Sequence, residues 1–161
     1  MAIDRVREYF RQLGRENDIL EFDSSSATVE LAANALGTAP GRIAKTLSFK
    51  TEDGAILVIA AGDAKIDNAK FKTEFGLKAK MLTPDEVVKY TGHAVGGVCP
   101  FALSCDLPVY SDISMKRFET VFPACGSSNS AIELTCEDLT EYSGSSRWVD
   151  VCKNWQTEQI S

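Results

Sequence analysis

Residues 55–61, Ala-Ile-Leu-Val-Ile-Ala-Ala, form an unbroken apolar run of strand length. Such a run reads as a β-strand covered on both faces, because a strand open to water on one side would alternate. Just before it, Thr46-Leu47-Ser48-Phe49-Lys50-Thr51 does alternate, and Glu52-Asp53-Gly54 supplies the turn residues between the two. The pair predicts a hairpin at the centre of a sheet with material packed on either side of it.

The flanking segments supply that material. Ile3, Val6, Phe10 and Leu13 recur at helical spacing over Ala2–Arg15, with Gly14 near the end. Ile19–Phe22 reads as a short strand. Ser24, Ser25 and Ser26 offer N-caps for a helix through Val29, Leu31, Ala32 and Leu36 that stops at Gly37, and Pro40 suits a further first helical turn. Asp67 can cap a helix carrying Phe71 and Phe75 and closing at Gly76. Thr83-Pro84-Asp85-Glu86 reads as a capped helix start, with its end near Gly92. Strands are expected over Leu107–Ser111, Thr120–Ala124, Ala131–Thr135 and Trp148–Val151, with a helix around Glu137–Tyr142. Helices and strands are interspersed without strict alternation, which favours a mixed α/β sheet with helices around it.

At 161 residues the chain has the length of one domain that buries its own core, and 1–161 is read as a single unit. No apolar run approaches the ~20 residues of a membrane helix, and the charged N-terminal segment lacks a signal-peptide stretch, so a cytoplasmic, membrane-free protein is expected. Five cysteines with no CxxC pair and a single histidine argue against a zinc site, and no metal or cofactor is expected. The net charge of −6 excludes broad, non-specific nucleic-acid binding, although lysines are frequent between Lys45 and Lys89 and could form a local basic rim.

Three stretches carry chemistry. Gly41-Arg42-Ile43-Ala44-Lys45-Thr46-Leu47 sets a lysine at a helix-to-strand junction. Gly92-His93-Ala94-Val95-Gly96-Gly97-Val98-Cys99-Pro100-Phe101 contains a GxxxP loop. Cys125-Gly126-Ser127-Ser128-Asn129-Ser130 is too small and polar for a plain strand. In this order, with Leu57–Lys65 between the first two, they resemble the YbaK/EbsC family of prolyl-tRNA editing proteins over about residues 24–144. The resemblance implies a YbaK-like single domain with a central mixed, partly barrel-like sheet surrounded by helices.

It also implies roles. Lys45 is expected to hold the 3′ end of the substrate as a flexible point charge. Gly96 and Gly126 are expected to bring backbone N–H groups to the reacting carbonyl. Gly97, Val98, Cys99 and Pro100 would line the aminoacyl pocket, and Ser127, Ser128 and Asn129 a second wall. Taken alone, the first glycine loop is equally a turn chosen for its backbone angles, and the second a bulge between strands. Asp112 stands where relatives often carry an acidic pair, but Ile113 follows it; substrate contact and an N-cap for Ile113–Phe118 are both open readings. His93 reads as structural. Cys99 reads as shaping the pocket, since a reactive cysteine needs a basic neighbour.

The activity implied is hydrolysis of the ester between a wrong amino acid and tRNA(Pro), cysteine or alanine being the expected charges. It would need neither metal nor protein nucleophile. The mischarged tRNA 3′ end would be the partner, with prolyl-tRNA synthetase a candidate second one. The oligomeric state stays open. Two alternatives stand beside it: a binding module for the tRNA 3′ end or a nucleotide that performs no hydrolysis, and a hydrolase that uses Cys99 or Cys125.

Overall fold

The computed structural model describes residues 2–155; the remaining residues of the expected 1–161 unit lie outside the described residues. Helix α1 (Ala2–Gln12) lays Val6 and Phe10 fully into the core. It stops three residues short of the expected Arg15, leaving Leu13 exposed, because Gly14 turns the chain at φ +73°. Strand β1 (Ile19–Glu21) leads to α2 (Val29–Leu36). Thr28 caps α2, its Oγ1 accepting from the Leu31 amide at 3.2 Å. The serines expected in that role are drawn elsewhere: the Ser26 amide and hydroxyl donate to Ser128 O.

The predicted hairpin is present. Strands β2 (Ile43–Lys50) and β3 (Ala55–Ala61) pair antiparallel, from Ala44 opposite Ala61 to Lys50 opposite Ala55. Strand β2 begins three residues before the expected start, straight out of the 3-10 turn Pro40–Arg42. All seven residues of β3 are buried, as a strand covered on both faces requires.

Strand β4 (Lys65–Ile66), helix α3 (Asn68–Phe75) and helix α4 (Pro84–Thr91) follow. Asp67 caps α3, accepting from the Lys70 amide at 3.0 Å. In α4 Thr83 and Glu86 complete a reciprocal capping box. Then come β5 (Val109–Asp112), β6 (Thr120–Pro123), β7 (Ser130–Ile132), β8 (Leu134–Thr135), α5 (Cys136–Ser143), β9 (Trp148–Val149) and β10 (Cys152–Lys153). The single strand expected over Ala131–Thr135 is two strands, broken at Glu133: β7 pairs with β1 while β8 pairs with β6.

Six strands form one mixed sheet in the order β8-β6-β2-β3-β5-β9, curled into a half-barrel. Parallel pairing joins β2 to β6, β3 to β5 and β5 to β9; the other two pairings are antiparallel. One face is filled by an aromatic row, Phe49–Phe71–Phe75–Tyr110, with successive ring centroids 4.7, 4.8 and 4.9 Å apart. Phe10 and Phe101, 4.9 Å apart, fasten α1 beneath the glycine-rich loop. Among the described residues no helix is long and apolar enough to cross a membrane.

Candidate functional site

Strand alternation puts Ala44, Thr46 and Ser48 on the opposite side of β2 from Leu47 and Phe49. That side faces a cavity of about 400 Å³. Its walls are α2 and the segment before it (Ser26–Val29, Ala32), the start of α4 (Leu82, Pro84, Val87), the turn at Val95–Gly96, and β6–β7 (Phe122, Ala131). The lining is mostly apolar side chains with a few hydroxyls and one cation, Lys45. At the mouth, Met81 is 55% exposed and Val95 65%.

Lys45 reaches from the second residue pair of the hairpin to the loop that follows β3. Its Nζ donates to Gly62 O at 3.3 Å and to Ala64 O. An ammonium carries three N–H donors, so one remains for a ligand oxygen. Burial lowers the Lys45 pKa, and the nearby carboxylates of Asp63 and Glu30 partly oppose that shift. Asp63 itself is held by Arg117 through two bonds of 2.5 and 2.9 Å. The accepting loop is closely packed: a Cβ on Gly62 would lie 2.2 Å from Pro40 O.

The first glycine loop is a tight turn over Ala94–Gly97, closed by Gly97 N–H donating to Ala94 O at 3.0 Å. Gly96 stands at its third position with φ +97°, where a type II turn calls for glycine. Among the described residues, the amides of Gly96 and Val98 donate to no protein acceptor. Gly97 lies against the second loop: a Cβ there would sit 2.8–2.9 Å from the backbone N, C and Cα of Ser127. The two glycine-bearing loops, about thirty residues apart in sequence, therefore meet backbone to backbone.

Lys45, Gly96 and Val98 line the cavity. Cys99 and Pro100 are buried below the turn and line no part of it. Gly126, at φ +91°, faces α1, where a Cβ would meet Ala2 and Val6 at 3.1 Å. Ser127, Ser128 and Asn129 brace the neighbouring wall. The Ser127 hydroxyl donates to Asn129 Oδ1 and meets Ser130 Oγ, and Asn129 Nδ2 donates to Phe22 O at 3.0 Å. Asp112, fully buried, accepts from the Ser114 and Val151 amides at 2.9 Å each, capping the 3-10 turn Ile113–Arg117 and anchoring the chain after β9. Of its two readings, the N-cap is the one its contacts supply.

His93 and Cys99 do meet, with Nε2 and Sγ 3.5 Å apart. The contact does not make a nucleophile. Nε2 lies 2.8 Å from Phe101 O, and a carbonyl only accepts, so Nε2 carries the hydrogen and has no lone pair for the thiol. Burial lowers the His93 pKa and pushes the Cys99 thiol up to about 12. Cys125 is likewise raised by burial.

Thr46, Ser48, Met81 and the Ser26–Val29 wall were not singled out in the sequence. The polar side of alternating β2 was a usable signal for Thr46 and Ser48. The other walls come together only through the fold.

A model of the aminoacyl-tRNA editing domain matches residues 23–142. The uncharacterized protein YwhH of Bacillus subtilis is 59% identical over 157 residues, 97% of this chain and all of that protein. A proline–tRNA ligase of Thermotoga maritima is 31% identical over 90 residues, which is 55% of this chain but 15% of the ligase. Among solved structures, a candidate trans-editing enzyme for prolyl-tRNA synthetase superposes with TM-score 0.85 at 29% identity, covering 95% of this chain and 98% of that one.

Proposed function

The chain belongs to the YbaK-type aminoacyl-tRNA editing domain family, and from that premise we propose that it hydrolyses mischarged tRNA(Pro), acting in trans as a single domain over 1–161. The observation that carries this reading is Lys45. Its ammonium is fixed by two backbone carbonyls at a ligand-sized cavity and keeps one N–H to offer.

In this reading the terminal adenosine of tRNA lies at the mouth, where the free N–H of Lys45 binds one of its oxygens. The aminoacyl group enters the cavity. The free amides of Gly96 and Val98 face the ester carbonyl and take up the charge that develops on its oxygen. Water, or a nucleophile on the substrate itself, forms the new bond to the carbonyl carbon. The bond between that carbon and the ribose oxygen breaks, the ribose oxygen takes the proton the nucleophile gives up, and the amino acid leaves, as the free acid where water attacks or as a cyclic product where the substrate's own group does. An aminoacyl ester is already activated, so orientation and oxyanion stabilisation are sufficient catalysis. Gly97, Gly126, Ser127, Ser128 and Asn129 hold the loops, Cys99 and Pro100 lie buried beneath the first of them, and Asp112 ties the turn Ile113–Arg117 to the chain after β9.

Such an activity has a clear use. A synthetase pocket shaped for proline rejects smaller side chains by only ~1–3 kcal/mol per lost contact. A second, smaller cavity that cleaves what fits corrects the remainder. Small charges, cysteine and alanine among them, are the expected substrates, and prolyl-tRNA synthetase is the expected neighbour in the cycle. The buried His93–Cys99 pair counts against the thiol-hydrolase reading. The test is release of amino acid from tRNA(Pro) charged with cysteine, alanine or proline. Cleavage of a wrong charge with proline spared supports the proposal. Binding of the charged 3′ end without release would leave the binding-module reading in its place.

A further inference from the structure

The loop that seats Lys45 is itself held by residues that do not line the cavity. Gly62 and Ala64, whose carbonyls accept from the ammonium, flank Asp63, and the Ala64 amide closes the turn by donating to Ala61 O at 3.0 Å. The 3-10 turn Ile113–Arg117 grips this loop at two points. The Ala61 amide donates to Ser114 Oγ at 3.1 Å, and the Arg117 guanidinium spans the Asp63 carboxylate, Nη1 to Oδ2 at 2.9 Å and Nη2 to Oδ1 at 2.5 Å. The guanidinium is fixed in turn. Its Nε donates to Ser114 O at 2.9 Å and Nη1 also to Trp155 O at 3.3 Å, while Cζ lies 4.7 Å from the Phe118 ring centroid and 5.2 Å from that of Trp155. The side chains of Arg117 and Asp63 are only 12% and 21% exposed, so solvent screens the pair weakly. Gly41 in the first motif leaves room for it: a Cβ there would lie 2.9 Å from Asp63 Oδ2 and from Phe118 Cζ.

Resting on the editing reading above, we infer that Arg117 is a positioning residue for the reaction: by fixing Asp63 it sets the Gly62 and Ala64 carbonyls and, through them, the ammonium of Lys45. Two parallel bonds fix the direction of a carboxylate as well as its distance. Asp63 stands between the two accepting carbonyls, so a turn of its backbone moves both of them. A lysine head rides on a flexible four-carbon stem and keeps one place only while its acceptors keep theirs. Released from Arg117, the Asp63 carboxylate would also compete for the ammonium, on which its charge already acts. Arg117 touches no substrate in this account; it acts on the group that does.

The test is single-turnover hydrolysis of tRNA(Pro) charged with cysteine or alanine. Protein is kept in excess and its concentration varied, so that the limiting rate and the half-saturating concentration are read separately. Arg117→Ala is expected to lower the limiting rate by about 10–100-fold, since misplacement by about 1 Å costs on the order of 100-fold, and to keep half-saturation within about threefold of wild type. A role confined to folding would leave fewer active molecules, which raises half-saturation and keeps the wild-type limiting rate; that result overturns the inference. Asp63→Ala is expected to lower the limiting rate by a similar factor, and the double variant to lower it no further, because the two residues act as one unit. Losses that multiply in the double variant overturn the inference, since Arg117 would then act by another route. If Arg117→Ala gives no cooperative melt, Arg117→Lys carries the test, because it keeps the charge and replaces the fork with a point donor. A loss of at least about threefold in limiting rate is then expected, and the wild-type value overturns the inference while editing itself stands. No hydrolysis of either charge by wild type overturns the editing reading and this inference together.

Discussion

Replacing Gly97 by alanine should damage activity through backbone contact rather than chemistry. The added Cβ would come within 2.8–2.9 Å of three backbone atoms of Ser127, where ordinary contact begins at 3.4 Å. The deficit is about 0.6 Å, and no flexible side chain is present to absorb it, so one loop must move away from the other. Overpacking of this kind costs about 1–3 kcal/mol, which in a domain of this size lowers Tm by about 2–4 °C per kcal/mol. Displacement of the Gly96 wall by half an ångström or more should also lower kcat by about 10–100-fold, since misplacement by about 1 Å costs on the order of 100-fold. Gly76→Ala is the matched control: it places alanine at φ +76° with nothing within 4 Å, far from the cavity. It should lose about 1 kcal/mol to backbone strain and keep its activity. Calorimetric melts with single-turnover deacylation of the same samples measure both quantities. A Gly97→Ala protein with wild-type Tm and wild-type kcat would refute the contact between the loops.

Other outcomes follow from the same geometry. Cys99→Ser should stay within about threefold of wild-type activity, and iodoacetamide at neutral pH should label exposed Cys105 before Cys99, whose thiol burial pushes up to about 12; mass spectrometry of the labelled peptides reads this. Asp112→Ala strands two buried amides and should cost about 3–6 kcal/mol in a denaturant titration, because each bond to a charged group is worth about 1.5–3 kcal/mol. Burial lowers the Lys45 pKa, so enzymatic deacylation, corrected for the spontaneous rate, should fall as pH rises through that lowered value and begin to fall below 10.5. The stability effect has the opposite sense: the buried ammonium opposes folding below its lowered pKa, and the opposition is relieved as pH rises toward the ordinary value.

The fold was legible where a local signal had a local cause. The apolar run of β3 is a buried strand, and Thr83-Pro84-Asp85-Glu86 makes the capping box it spells. Boundaries failed where a distant partner decided them. Ser26 lost the cap of α2 because Ser128 took its amide, and the strand after Asn129 split at Glu133 because its halves pair with β1 and β6. The two-residue strands β4 and β10 exist only by pairing with each other.

The site divides in the same way. Lys45, Gly96 and Val98 were readable as motif residues and do line the cavity. Cys99 lies inside the GxxxP loop and Asp112 follows a strand outside the three motifs, yet their side chains face a buried carbonyl and buried amides rather than the cavity. The walls contributed by Val29, Met81 and Phe122 come from three separate segments, which no local pattern in the chain connects.

The editing reading rests most heavily on the ammonium that the Gly62 and Ala64 carbonyls hold at the cavity. The decisive measurement is single-turnover hydrolysis of mischarged tRNA(Pro), at saturating protein, by wild type and Lys45→Ala with matched melting curves. A fall of about 100-fold or more in the variant is expected, as for loss of a preorganised donor. A variant that cleaves at the wild-type rate would show that Lys45 takes no part in the reaction and would contradict this assignment of the site.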